Sequence, residues 1–214
     1  MKITNTEVYG FEASLRGMRN PMNSWHLQDS VPCANNDYCI SSILWDATLI
    51  GEKDLDLAKR LIKAGNEHCK FLRQIQVWAD FEMPLYWWSE FDTYKFNTKN
   101  SCSTMHKLFN AKKEIELDDF VYSKEDINTL NFIIRELNFL RKRYLETKDF
   151  NYVIRGKRLL PTSFKQRRTV NTNYAELINI YNQRKNHRLK EEWQDVFCKW
   201  CEELPYFKEF LEAR

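Results

Sequence analysis

Leu160-Pro-Thr-Ser-Phe-Lys-Gln-Arg-Arg-Thr-Val-Asn-Thr-Asn-Tyr-Ala-Glu-Leu-Ile-Asn-Ile-Tyr-Asn-Gln-Arg-Lys-Asn-His-Arg-Leu-Lys-Glu-Glu-Trp193 is the stretch from which the rest of the chain can be read. It predicts a strand feeding a helix. Arg167 to Thr172 has the β-branched and charged content of an exposed strand, and Thr172 or Asn173 is a suitable N-cap. The helix that follows carries Leu177, Ile178, Tyr181 and Arg184 or Arg188 at three-to-four spacing, which turns the apolar side chains to one face. Asn173, Asn179, Asn182, Arg184, Asn186, His187 and Arg188 crowd the other faces. Amide and guanidinium groups at that density suit planar oxygens and phosphates, whereas the plainer reading of such a run is a solvated helix face.

The 214 residues are enough for one substantial core and few for two, so a single domain spanning 1–214 is expected. A chain that is 43% hydrophobic with only five Gly and five Pro reads as globular and helix-rich. No run approaches the roughly 20 apolar residues of a membrane span, and Met1 to Thr6 lacks the apolar core of a signal peptide, so a cytoplasmic location is expected. The net charge of +3 is modest for a dedicated nucleic-acid binder, although Arg155 to Arg168 is locally basic. Six cysteines in such a chain read as reduced thiols. Cys198 and Cys201 have C-x-x-C spacing, but no second pair stands at zinc-ligand distance.

Taken in order, Ile3, Val8, Tyr9 and Phe11 mark a first strand or strand and turn, and Leu15 to Trp25, polar and rich in turn formers, reads as a surface loop offering Arg16, Arg19 and Asn20. Cys39 to Thr48 has helical spacing, and Asp54 to Ala64 is a clearer helix closed by Gly65. From Arg73 to Met83 apolar residues alternate, with Ile75, Val77, Ala79, Phe81 and Met83 on one buried face of a strand. Pro84 then opens a helix over Leu85 to Phe91 whose aromatics belong to the core. Residues 107–122 read as a polar connection, Ser123 and Asp126 as a helix start, and Ile127 to Tyr144 as the longest amphipathic helix. A second polar stretch leads to Arg155, and Val196, Phe197, Trp200 and Leu204 form a last packed helix.

Several of these segments resemble the flavin-dependent thymidylate synthases, the ThyX family. Pro161, Asn173, Asn179 and Arg184 fall on the family's C-terminal pattern of Leu-Pro, strand, Asn, helix and Arg. The end of the chain, Leu204 to Leu211, resembles its closing Pro-aromatic-Phe element, and Leu61 to His68 its helix ending in Gly. Lys157 stands where the family has an Arg before Leu-Pro, with Arg158 beside it. The signature Arg-His-Arg-x-x-Ser-x-Asn-Glu-x-Ser-x-Arg-Tyr is largely replaced: over Thr93 to His106 only Asn100 and Ser103 are kept, with Tyr94, Lys95, Ser101 and Met105 at the His, second Arg, Glu and last Arg positions.

The resemblance implies an α+β fold with a mixed or antiparallel sheet flanked by long helices, assembled as a homotetramer with shared sites. It implies a pyrimidine-nucleotide C5 alkyl-transfer enzyme using FAD, a deoxyuridine monophosphate-like substrate and methylenetetrahydrofolate as carbon donor. Arg184, Lys157, Arg158, Ser101 and Ser103 would then bind substrate, and Asn173, Asn179, Lys95, Tyr94 and Asn100 the cofactor. Replacing two arginines by Thr93 and Met105 removes charges worth about 1.5–3 kcal/mol per charged hydrogen bond, and the Arg16, Arg19 and Asn20 loop is the expected replacement. The lost signature equally suits a catalytically silent nucleotide-binding or regulatory relative. A nucleic-acid binder using the Arg155 to Arg168 patch is a third possibility, against which the charge argues.

Overall fold

The computed structural model describes residues 1–32, 48–109 and 113–214. Their order is β1 (Lys2–Tyr9), α1 (Phe11–Met18), β2 (Val31–Pro32), β3 (Thr48–Leu49), α2 (Glu52–Lys63), β4 (Gln76–Pro84), α3 (Leu85–Phe91), β5 (Thr98–Ser101), α4 (Thr104–Lys107), α5 (Ile127–Thr147), α6 (Asn151–Leu159), β6 (Lys165–Asn173), α7 (Tyr174–Arg184), a π-helix (Lys190–Cys198), α8 (Lys199–Glu202) and α9 (Phe207–Glu212). Four strands make one sheet in the order β1-β4-β6-β5, and β2 pairs antiparallel with β3. Most of the helical spacing seen from Cys39 to Thr48 lies outside the described residues; Thr48 itself belongs to β3.

The chain divides into two compact units. The first comprises Met1–Lys2, Phe81–Thr93 and Asn100–Arg168. Its core begins with Pro84, which is extended and caps α3 rather than occupying its first turn. There Trp87 stacks on Phe91 at 4.8 Å and meets Trp88 edge-on at 5.0 Å. Offset and edge-to-face pairs of this kind add about 0.5–1.5 kcal/mol each beyond the area buried. Ser123 and Asp126 form the expected capping box, Ser123 N–H donating to Asp126 Oδ2 at 2.9 Å, and α5 follows. Leu130, Ile134, Leu137 and Leu140 of α5 pack with Leu108, Phe109, Ile115, Phe120 and Val153. The stretch 107–122 is therefore not simply a polar connection, because its few apolar side chains are the ones that close this core. The second polar stretch also folds, as α6: Val153 and Gly156 supply the small inward surface it needs against α5, and a Cβ on Gly156 would lie 2.3 Å from the Phe109 ring.

The second unit comprises Ile3–Asp80, Tyr94–Lys99 and Thr169–Arg214. Alternation along β4 places Ile75, Val77 and Ala79 inside, as its period of two requires. Gly10 turns β1 into α1 with φ +93°, and a Cβ there would stand 2.6 Å from the Gln74 carbonyl oxygen, so only glycine fits without strain. Against the helices α1, α2 and α7 lie the aromatics of the C-terminal elements, with Trp193, Phe197, Phe207 and Phe210 fully buried. Tyr174 Oη donates to the Pro205 carbonyl at 2.7 Å, fixing that last segment to α7.

β6 is not the exposed strand its charged residues suggest: it stands between β4 and β5, with Gln166, Val170 and Thr172 buried, and Arg168 on that same face lies over the Trp88 ring at 4.2 Å and pairs with Asp92 at 3.1 Å, so only Lys165 and Arg167 take the alternate positions. The Leu15 to Trp25 stretch is not a free loop either. α1 runs to Met18, and Arg19 is buried against Asp54, Nε donating to Oδ1 at 2.6 Å.

Candidate functional site

Asn173 begins the site because it begins α7. Its side-chain oxygen accepts the Glu176 N–H at 3.1 Å, the usual N-cap bond, while its amide group reaches the Phe96 carbonyl at 3.5 Å. Eleven residues later α7 ends at Arg184. Arg184 Nε donates to Tyr94 Oη at 2.8 Å, and Tyr94 Oη donates onward to Gln183 Oε1 at 3.1 Å. The guanidinium lies 4.5 Å from the Trp193 ring centroid and 5.6 Å from that of Tyr94. Cation–π contact with two aromatics and a fixed Nε bond hold the fork in one orientation, so meeting an oxyanion costs it little further entropy.

Trp193 reaches this position because residues 190–198 form a π-helix, a wide-turned element that recurs at functional sites. The turn before it is tied down by His187, whose Nδ1 accepts the Leu189 N–H at 3.2 Å and whose carbonyl accepts from Gln194 Nε2 at 2.9 Å. Arg188 falls beyond the end of α7 and does not share its face.

Asn173 and Asn179 line a pocket of about 250 Å³ with Arg73, Phe96, Glu176 and Arg214. Asn179 accepts from Gln183 Nε2 at 3.2 Å, which orders its amide. Burial raises the Glu176 carboxyl above its ordinary value, while the Phe96 N–H, Asn97 and Lys99 pull the other way. Amides, two arginines and an aromatic ring exposed by 77% at Phe96 can read a flat heterocycle bearing negative charge. Arg73, exposed and without a side-chain partner among the described residues, was missed in the sequence, where it is simply the residue that starts an alternating strand.

The other candidates lie in the first unit. Ser103 lines a pocket of about 270 Å³ with Cys102, Lys107, Lys165, Gln166 and Arg167. The Cys102 N–H donates to the Arg167 carbonyl at 2.9 Å, and Gln166 Nε2 donates to the Cys102 carbonyl at 2.7 Å, so β6 sets the position of Ser103. Asn100 and Ser101 are exposed on β5 and do not line that pocket. Lys157 and Arg158 are exposed in the last turn of α6 and line neither of these two pockets. Lys95 is exposed beside Tyr94 in the chain, and Thr93 turns its hydroxyl to the Glu90 carbonyl at 2.7 Å.

The expected replacement cations are occupied. Arg19 is held by Asp54, Arg16 pairs with Glu12 at 3.4 Å, and the Asn20 side chain accepts from Trp25 Nε1 at 2.7 Å. An arginine that is 3% exposed and neutralised by a buried carboxylate is part of the core, not a phosphate ligand. Cys69, Cys102, Cys198 and Cys201 are free thiols, and burial pushes Cys198 up to about 12. Among the described residues no helix is long and apolar enough to cross a membrane.

No protein-family model matches the sequence, and no curated protein is similar to it by sequence. The fold is similar to solved structures. A crystal structure of flavin-dependent thymidylate synthase ThyX from Helicobacter pylori, complexed with FAD and dUMP, superposes with a TM-score of 0.69 at 16% identity, over 99% of this chain and 97% of that one. A second structure of ThyX from the same organism, also with FAD and dUMP, gives 0.71 at 16% identity, over 99% and 96%. The chain thus has the fold seen in the flavin-dependent thymidylate synthase ThyX.

Proposed function

We infer that this chain, one domain over 1–214, is a thymidylate-synthase-like protein that binds a pyrimidine nucleotide of the dUMP kind through α7. The observation that carries this reading is Arg184, held in orientation by Tyr94 and Trp193 at the end of α7, on a fold whose solved neighbours hold FAD and dUMP. Arg184, which does not line the Asn173 and Asn179 pocket, takes the phosphate as a fork at the far end of α7, Asn179 between them offers an amide to a ring edge, and Ser103 with Lys107 and Lys165 offers a second anion-binding surface. The activity we assign is one-carbon transfer from methylenetetrahydrofolate to C5 of the uracil ring with loss of the C5 proton, for which bound flavin, kept reduced by an external hydride donor, would supply the two electrons that take the methylene to a methyl group, in a cytoplasmic homotetramer.

The residues fit a nucleotide phosphate and base edge better than they fit the pyrophosphate of FAD. Within the described part of the signature stretch the cations are Lys95 and Lys99, which are point charges, and Lys99 donates to the Asn97 side chain. That shortage favours a second reading, a catalytically silent nucleotide-binding relative.

One experiment separates them. The purified protein is mixed with FAD, desalted and scanned for flavin absorption, then titrated calorimetrically with dUMP alongside Arg184→Ala. Retained flavin with product formation from dUMP and methylenetetrahydrofolate once the flavin has been reduced with dithionite supports the enzyme. A colourless protein whose dUMP binding is lost in Arg184→Ala supports the silent relative. Equal dUMP affinity in both proteins, or none in either, overturns the assignment of α7.

A further inference from the structure

Helix α5 presents two unlike faces. One buries Leu130, Ile134, Leu137 and Leu140. On the other, Phe132 is 66% exposed and Phe139 is 53% exposed. Seven residues are almost two helical turns, so the two rings stand in one stripe about 10 Å apart along the axis. Two large aromatic side chains on one helix stripe in water are the kind of surface that proteins cover. At 100° per residue Arg135 falls on one side of the stripe and Glu136 on the other. The Arg135 guanidinium lies 5.9 Å over the Phe132 ring, and Glu136, 42% exposed, reaches Arg155 only at 4.0 Å. The patch is therefore an apolar line with a cation along one edge and an anion along the other.

We propose that this stripe is the contact between two copies of the chain, related by a two-fold axis running along α5. Such an axis lays the two helices side by side in the same direction and carries each edge of the stripe onto the opposite edge of the partner. Phe132 and Phe139 then meet the partner's Phe132 and the partner's Phe139, while Arg135 faces the partner's Glu136 and Glu136 the partner's Arg135. The surface is self-complementary, as an isologous contact must be. This deepens the homotetramer in the proposed function by assigning one of its contacts, and it rests on self-association occurring at all.

The test is sedimentation velocity over a concentration series of the full chain and of Arg135→Glu, Glu136→Arg and the double reversal, with Phe139→Ser as a fourth variant and circular dichroism melts as a control for folding. All these positions are exposed or half-buried, so the variants fold. Each single reversal opposes like charges and weakens association about tenfold or more, and the double reversal restores it. Phe139→Ser weakens it without rescue by either charge change. Association unchanged in every variant places the contact elsewhere and overturns this assignment while leaving the oligomer intact. Single reversals that weaken association without rescue in the double overturn the two-fold along α5. A wild-type chain that stays monomeric throughout overturns both the contact and the homotetramer.

Discussion

Removing Asp54 tests whether Arg19 belongs to the core or to a ligand site. Asp54 is fully buried and accepts four hydrogen bonds: Arg19 Nε at 2.6 Å on one oxygen, and Asp29 N–H at 3.2 Å, Ser30 N–H at 2.9 Å and Ser30 Oγ at 2.6 Å on the other. It thereby joins the end of α1, the segment before β2 and the start of α2. In Asp54→Ala the Arg19 charge remains, 3% exposed and without its counter-ion. Breaking a buried pair by removing one partner costs about 3–5 kcal/mol. At about 2–4 °C per kcal/mol for a domain of this size, the melting temperature falls by about 6–20 °C. Arg19→Ala is milder, because the Asp54 carboxylate keeps its three donors from Asp29 and Ser30; the loss is about 1.5–3 kcal/mol, one charged hydrogen bond. Thermal and urea unfolding of both variants, with calorimetric titration of dUMP, checks the order. A melting temperature for Asp54→Ala within 2 °C of wild type, or Arg19→Ala with intact stability and lost nucleotide affinity, refutes the reasoning.

Tyr94→Phe removes the hydroxyl that accepts from Arg184 Nε and donates to Gln183. It should cost about 0.5–1.5 kcal/mol of stability and about tenfold in dUMP affinity, because the guanidinium loses its fixed bond; unchanged affinity would separate Arg184 from the nucleotide. Burial raises the thiols of Cys198, to about 12, and of Cys201, well above the ordinary value of 9.0, and it likewise raises the phenols of Tyr174 and Tyr181. In the folded chain these groups stay protonated where the unfolded chain releases its protons, so their contribution is complete below pH 9 and declines as pH rises through the range from 9 towards 12. The melting temperature should fall over that range, and alkylation at pH 8 should label the exposed Cys102 in preference to Cys198 and Cys201; labelling of the buried pair in native protein would contradict this.

Much of the fold is legible in local chemistry. The alternation from Ile75 to Met83, the Pro84 boundary, the Ser123 and Asp126 capping box and the Asn173 cap each act over a few residues, and each forms where the sequence places it. α6 was not legible, because Asn151 to Leu159 is polar on most faces and becomes helical by packing Val153 and Gly156 against α5 and Phe109. The π-helix was hidden for a related reason: the spacing of Trp193, Phe197 and Trp200 fits an ordinary helix, and the wider turns appear only in the hydrogen bonding. In the candidate site, Asn173, Asn179 and Arg184 could be found because one cap and one helix carry them. Arg73 could not, since an exposed arginine before a strand has no local mark.

The sequence alone determined the type of most elements and which residues carry the charge and amides a phosphate would need, because caps, periodicity and residue chemistry are local properties; the α+β class was read from the family resemblance. The tertiary structure decided which of those cations are buried. Arg16 and Arg19 look equivalent along the chain, yet Arg19 meets Asp54 across 35 positions and is buried, while Arg184 meets Tyr94 across 90 and stays half-exposed. Burial and partnership depend on contacts between distant residues, and no spacing within a single segment encodes them.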